Sequence, residues 1–324
     1  MRERRWLPRP TTTLDSTTVA HAVTALREHG LLLEEHSAEA DRDARIVHQW
    51  RSWEPEATFF HYATQDTHTA ASLASQDPPE IDKLPALFTA YPDADRVLLP
   101  RYPVHLTAPL GEALYSRRTH RDFDDAPSPC PPWPPCCRSA SPRSTTSTPT
   151  SSAQWSAAPA LPAAPARNST PMAITNVTGI PAGMYHYNSL EHSLELLSKG
   201  FTRQDTIDLC AGQDHFGGAA FLVLLVAVIE RMRVKYRSPR CYRVSLLGAG
   251  HLGHTFALTA TALGLGPFQT GAFHDAAVVE RLGLNNTSRT PVYVLGAGHP
   301  NLEPDPERSP APAGLDAFRS TPLT

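Results

Sequence analysis

The stretch RRTHRDFDD, Arg117 to Asp125, crowds three arginines and a histidine into five residues, then adds three acids and a phenylalanine. Just upstream, LTAPLGEALYS (Leu106 to Ser116) reads as a helix with Leu110, Leu114 and Tyr115 near one face. The arginines therefore fall at a helix end, where guanidinium groups can converge on a phosphate; their planar fork suits that task better than a lysine's point charge. The competing reading is a solvated cluster in which the same arginines are neutralised by Asp122, Asp124 and Asp125.

No general basic face accounts for the cluster. The 324 residues carry a net charge of only -3 and are 41% apolar, which describes an ordinary globular chain without an electrostatic bias toward nucleic acid or an anionic membrane. The basic N-terminus, MRERRWLPRPTTTLDS, lacks the apolar stretch of a secretion signal. The most apolar run, AAFLVLLVAVI from Ala219 to Ile229, is too short to span a bilayer and reads as a buried strand. A cytoplasmic protein is the expectation, with neither nucleic acid nor membrane as partner. Cys130, Cys136, Cys137, Cys210 and Cys241 have no Cys-x2-Cys spacing and are odd in number, so free or buried thiols are expected rather than a zinc site or a disulfide framework.

Along the chain, Ser16 to Gly30 reads as a helix capped by Ser16 or Thr17 and closed by Gly30, followed by a short apolar strand or turn, LLLEE. That predicts a small N-terminal helix/strand module, with a winged form considered, over residues 1–75. The aromatics Trp50, Trp53, Phe59, Phe60 and Tyr62 suit packing between modules. Residues 76–104 form a proline-marked linker, with DRVLLP (Asp95 to Pro100) as an extended arm. The main domain occupies 105–300. Strands are predicted at Met184–Tyr187, Phe221–Ile229 and Pro291–Gly296, a strand or short helix at His192–Leu197, and helices at Thr202–Cys210 and Arg243–Leu263. In the last helix Leu247, His251, His254 and Leu258 follow a three-four spacing, while Gly250, Gly253 and Ala257 admit a close neighbour. Residues 127–175 stand apart: Pro127 to Pro171 is full of Pro, Ser, Thr and Ala and reads as linker, with ordinary patterning resuming after Ile180. The tail, 301–324, reads as mobile.

Two further constellations could carry chemistry. Lys235 beside Tyr236 offers an ammonium and a phenol for proton transfer, against the plain alternative of a surface lysine next to a core tyrosine. GLGPFQTGAF, Gly264 to Phe273, could bring backbone donors close to a flat ring, or could simply be a helix end followed by a loop; it lacks the dinucleotide fingerprint. His251, His254 and His274 lack a metalloprotease pattern, and no metal is expected.

Several of these segments together resemble the nitroreductase-fold flavoproteins, and more narrowly the SagB-type azoline oxidases of thiazole/oxazole-modified peptide synthesis. The resemblance rests on FFHYATQD (Phe59 to Asp66), Leu114 with RRTHRDF, GMYHY (Gly183 to Tyr187), Lys235 and Tyr236 with Tyr242 and Arg243, GAGH (Gly248 to His251), ALGLG (Ala262 to Gly266) and VYVLGAGHP (Val292 to Pro300). It implies an α+β fold with an antiparallel sheet flanked by helices, a bound FMN, and an intertwined homodimer. It also implies that Arg117, Thr119 and Arg121, with Arg118 secondarily, contact the phosphate and ribityl end of the flavin. Thr270 and Gly271 would lie near its ring and His299 on its phosphate side, with Lys235 and Tyr236 as the catalytic pair. The implied reaction dehydrogenates a thiazoline or oxazoline, made in a precursor peptide by a partner cyclodehydratase, to the azole.

Two departures from the family accompany it. Between Phe123 and Asn176, where relatives have helices, a flavin-contacting segment and a strand, the Pro/Ser/Thr/Ala stretch resembles translation in a shifted frame; sequencing the encoding DNA tests this. Relatives also tend to have a carboxylate where Gly248 stands. Two other functions compete: a small-molecule nitroreductase or quinone reductase using NAD(P)H, and a non-catalytic or defective relative serving as a peptide-binding scaffold.

Overall fold

The structure is a computed structural model that describes residues 15–65, 85–86, 88–100, 106–128, 168–233 and 238–301. Its centre is the apolar run, which forms a strand buried at every position, Phe221–Val228. In chain order the strands are β1 (Arg96–Leu98), β2 (Asn168–Ser169), β3 (Pro171–Ile174), β4 (Gly183–Asn188), β5 (Ser193–Lys199), β6 (Phe221–Val228), β7 (Gly266–Thr270) and β8 (Arg289–Gly298). They form one sheet in the order β1-β5-β4-β3-β6-β8-β7, with β2 also pairing β6, and every pairing is antiparallel.

The alternation of side chains along β6 explains why it must be central. Phe221, Val223 and Leu225 point into one core with Ala249, Leu252, Phe256 and Ala260, while Leu222 and Leu224 join Leu209, Phe216, Phe268 and Val278 in a second core. A strand clothed on both faces needs apolar residues at consecutive positions, and each fully buried large side chain contributes about 2 kcal/mol.

Among the described residues the helices are α1 (Ser16–Glu28), α2 (Ala38–Trp50), α3 (Glu54–Ala63), α4 (Leu110–Ser116), α5 (Arg203–Leu209), α6 (Ile229–Arg233), α7 (Cys241–Ala262) and α8 (Asp275–Arg281). The chain divides into two compact units at Thr67/His68. The first holds α1 to α3, with Trp50 against Trp53, His61 and Tyr62. Among its described residues no strand follows α1: LLLEE is irregular and leads into α2. Charged residues crowd α2, so its apolar period is faint, but Ser37 accepts from the Ala40 N–H to start it. The cap of α1 is Asp15 rather than Ser16 or Thr17, its carboxylate accepting from the N–H groups of Thr17 and Thr18. None of α1, α2 or α3 has a buried residue.

In the second unit three expectations are corrected and one that was open is resolved. The spacing expected in α7 is present but its phase is rotated: Leu247, His251 and His254 are exposed, and Ser245, Ala249, Leu252, Gly253 and Phe256 face the sheet. Packing against β7 and β8 decides this, because a Cβ on Gly253 would lie 2.5 Å from Gln269 Oε1 and 2.8 Å from the Tyr293 ring. GLGPFQTGAF contains the edge strand β7 rather than only a loop. Residues 168–174, assigned by composition to the linker-like stretch, form β2 and β3, with β3 buried throughout. His192–Leu197, open between helix and strand, lies largely in β5. Residues 129–167, the core of the atypical segment, and the tail from 302 lie outside the described residues.

Candidate functional site

Helix α4 ends at Ser116, and the N–H of its capping residue Arg117 donates to the carbonyl of Ala113 at 3.1 Å. The Arg118 guanidinium turns back on the same helix end, donating to the carbonyls of Tyr115 at 2.8 Å and Arg117 at 2.9 Å. Those carbonyls lack intrahelical donors and sit at the negative end of the helix dipole, so Arg118 acts there as a cap.

Beyond α4 the chain lies against the start of β7 and the end of β8. The His120 N–H donates to Pro267 O at 3.0 Å, the Asp124 N–H to His299 O at 2.9 Å, and the Asn301 N–H to Asp122 O at 3.1 Å. Phe123 forms an isolated antiparallel bridge with Pro300 and meets Phe268 edge-on at 6.0 Å. Glycines make this approach possible: a Cβ on Gly266 would come within 2.8 Å of the His120 ring, and one on Gly218 within 2.9 Å of Phe123. Burial, reinforced by the nearby Arg118 charge, pushes the His120 imidazole below its ordinary pKa.

Among the described residues the guanidinium groups of Arg117 and Arg121 have no hydrogen bond or ion pair. Arg117 is half-buried and Arg121 exposed. The neighbouring acids are engaged elsewhere: Asp125 pairs with Arg203, Asp124 accepts from the Ala126 N–H, and Asp122 accepts from Asn301 Nδ2. Self-neutralisation of the cluster is therefore not what the structure contains. Two uncommitted guanidinium groups, one partly withdrawn from water, have the donor chemistry of a site for a phosphate or carboxylate.

Arg117, Arg118, Thr119, Arg121 and His299 are thus brought to one neighbourhood, with Thr119 exposed and His299 half-buried. Thr270 and Gly271 are not in it. They lie at the opposite end of β7, about 13 Å along the strand from Gly266. The Thr270 hydroxyl closes its own turn by accepting from the Ala272 N–H at 3.0 Å. Gly271 is exposed, and a Cβ there would meet nothing within 4 Å. Lys235 and Tyr236 lie outside the described residues, between the end of α6 and the start of α7. Strand β6 runs from the level where Phe221 faces Ala297, past the level of Thr270, where Leu224 is opposite Val294, to Val228 opposite Arg289.

Pattern reading found the arginines but missed their holders. His120 and Phe123 looked like members of the cluster; the available signal was the set of glycines at 218, 266 and 298, which only the fold brings beside them. Among the described residues no group of three or more His, Cys, Asp or Glu side chains could hold a metal ion, and no helix is long and apolar enough to cross a membrane. Burial pushes the Cys210 thiol up to about 12, which leaves it unreactive.

Comparison with known proteins gives three results. Residues 157–299 match the model of the nitroreductase family, beginning within the atypical stretch. Two relatives come from Rhizobium leguminosarum bv. trifolii. The trifolitoxin operon protein TfxC is 29% identical over 119 residues, covering 37% of this chain and 33% of the relative. The trifolitoxin-processing protein TfxB is 29% identical over 112 residues, covering 34% and 30%. The aligned part of the chain thus spans about a third of these relatives' length. A crystal structure of a candidate nitroreductase from Anabaena variabilis superposes with a TM-score of 0.57 at 22% identity, covering 75% of this chain and 47% of that one, a likeness of fold.

Proposed function

We propose that this chain is an FMN-dependent oxidoreductase that dehydrogenates azoline rings in a modified precursor peptide, a reading supported by the match of residues 157–299 to the nitroreductase family model. The observation that carries the cofactor reading is the uncommitted pair Arg117 and Arg121 beside the β7–β8 edge. Members of the family bind FMN, and these two guanidinium groups fit its phosphate. Arg118, committed to the helix end, contributes background positive charge, and Thr119 and His299 complete the anion side. Thr270 and Gly271 would border the ring, where open space above Gly271 admits a flat group.

The bound flavin supplies a hydride acceptor. Converting a thiazoline or oxazoline to the azole removes two hydrogens, one as hydride and one as a proton. Lys235 or Tyr236 takes the proton in this reading, and the remaining residues bind and orient. A peptide substrate is favoured over a small molecule by the likeness to a trifolitoxin-processing protein and a trifolitoxin operon protein and by an N-terminal helical unit that a minimal small-molecule reductase does not need. A cyclodehydratase would then deliver the substrate. A second copy of the chain would cover the exposed apolar residues Leu246 and Leu247 of α7 and Leu110 and Leu114 of α4.

The test is to purify the protein and measure bound flavin by its visible absorbance, then to mix the flavin-loaded protein anaerobically with an azoline peptide or with NADPH. Bleaching by the peptide supports this function. Bleaching by NADPH alone assigns the chain to small-molecule reduction, and a folded, colourless protein that cannot be loaded removes the flavin reading. Lys235→Ala is expected to keep the colour and lose peptide oxidation.

A further inference from the structure

The opposite side of the sheet carries a buried charged cluster that the flavin reading does not use. Glu195 on β5 is 0% exposed, and three donors from two other places in the chain reach its carboxylate. His186 Nδ1 on β4 is 3.0 Å from Oε2, Asn188 Nδ2 donates to Oε1 at 2.8 Å, and the Tyr91 N–H donates to Oε2 at 3.0 Å. His186 therefore carries its proton on Nδ1, facing the carboxylate. Arg231 on α6 is 6% exposed, and it too reaches the segment before β1: Nε donates to Ala86 O at 2.8 Å and Nη2 to Thr89 Oγ1 at 3.1 Å. Two buried side chains of opposite charge thus grip neighbouring points of the chain, at Ala86, Thr89 and Tyr91.

No described residue of that stretch is fully buried, Phe88 and Tyr91 are half-buried, and the Tyr91 ring packs edge-on against His186 at 5.2 Å. Its C-terminal end is anchored separately, by the Leu196 N–H to Asp95 O and by Arg96, which pairs with Glu191 and donates to Pro92 O. A segment fixed at one end and attached elsewhere by polar bonds, with no fully buried side chain among its described residues, belongs to the less stable part of a fold and opens locally.

We infer that residues 88–95 form a strap that opens on acidification, when His186 takes up a proton. The groups facing His186 are Glu195 on β5, the Arg231 and Arg289 charges on α6 and β8, and Tyr91 on the strap itself. The imidazolium would be buried beside two arginines, and only the Glu195 carboxylate favours it; burial prevails and holds the imidazole below its ordinary pKa. With the strap lifted, the ring reaches water and titrates normally. The open form therefore binds a proton that the closed form refuses, and acid shifts the population toward it.

The test is hydrogen exchange on the full-length protein, comparing peptides that contain residues 88–95 at pH 7.5 and 5.5 after correction for the intrinsic rate, with β6 peptides as the control for global folding. Opening is expected to rise at pH 5.5 by up to about tenfold, and His186→Asn should remove that rise. Thr89→Val, which alters only the strap, should raise exchange at both pH values. Exchange of the strap that is independent of pH, a rise that persists in His186→Asn, or protection as strong as that of β6 in Thr89→Val would each overturn the inference.

Discussion

Arg117 with Arg121 and, in contrast, Arg231 occupy opposite ends of what an arginine can do in one domain. Arg231 is buried, its guanidinium bonded to Ala86 O and Thr89 Oγ1, and burial together with Arg289 pushes its pKa down to about 10. Arg117 and Arg121 hold no partner among the described residues. A buried charge must be satisfied internally or the fold does not tolerate it, whereas a guanidinium at the surface can be left uncommitted at little cost in stability. The first arrangement builds structure and the second is available to a ligand.

Removing a member of the buried set should therefore have the largest effect. Glu195→Ala strands donors from His186, Asn188 and Tyr91, and is expected to cost about 3 kcal/mol in denaturant unfolding; a loss below about 1 kcal/mol would place the cluster among ordinary surface contacts. Acid comes next. The folded pKa values of His186 and His120 lie below the usual 6.5 because both are buried. Stability is accordingly full above pH 6.5 and is lost as the pH falls from 6.5 toward those depressed values, since the unfolded chain binds protons that the native one excludes. Thermal melts should show the midpoint falling over that interval, and less steeply in His186→Asn.

Smaller effects are expected at the basic cluster. Arg118→Ala removes a cap from the C-terminus of α4 and should cost about 0.5–1 kcal/mol without abolishing flavin binding. Arg117→Ala should change stability by less than about 0.5 kcal/mol yet release the flavin, read by fluorescence titration with FMN. If the two substitutions exchange these behaviours, the division between structural and ligand-facing arginines fails.

How much of this was legible varied with how local the signal was. Strand β6 could be read directly, because eight consecutive apolar residues bury on both faces. In α7 the helical period was legible but its phase was not: leucines at 246, 247, 252 and 258 are spread around the helix, and contact of Gly253 with Gln269 and Tyr293 selects the inner face. Strand β7 was obscured by its glycines and proline; as an edge strand with one partner it needs less β-propensity than pairing with β8 supplies. Strand β3 was hidden for a different reason. Pro171 and Ala173 belong to the composition of the stretch before them, yet Met172, Ala173 and Ile174 fill the space between β4 and β6.

By itself the sequence determined that one apolar strand had to be central, that a long helix followed it, and that three arginines were concentrated after a short helix, since each of these depends on neighbours within a few residues. Only the tertiary structure decided which arginines remain uncommitted. That outcome depends on His120 and Phe123 seating against glycines about a hundred and more residues away, and on the nearby acids finding partners elsewhere; such contacts arise from packing, which local pattern does not encode.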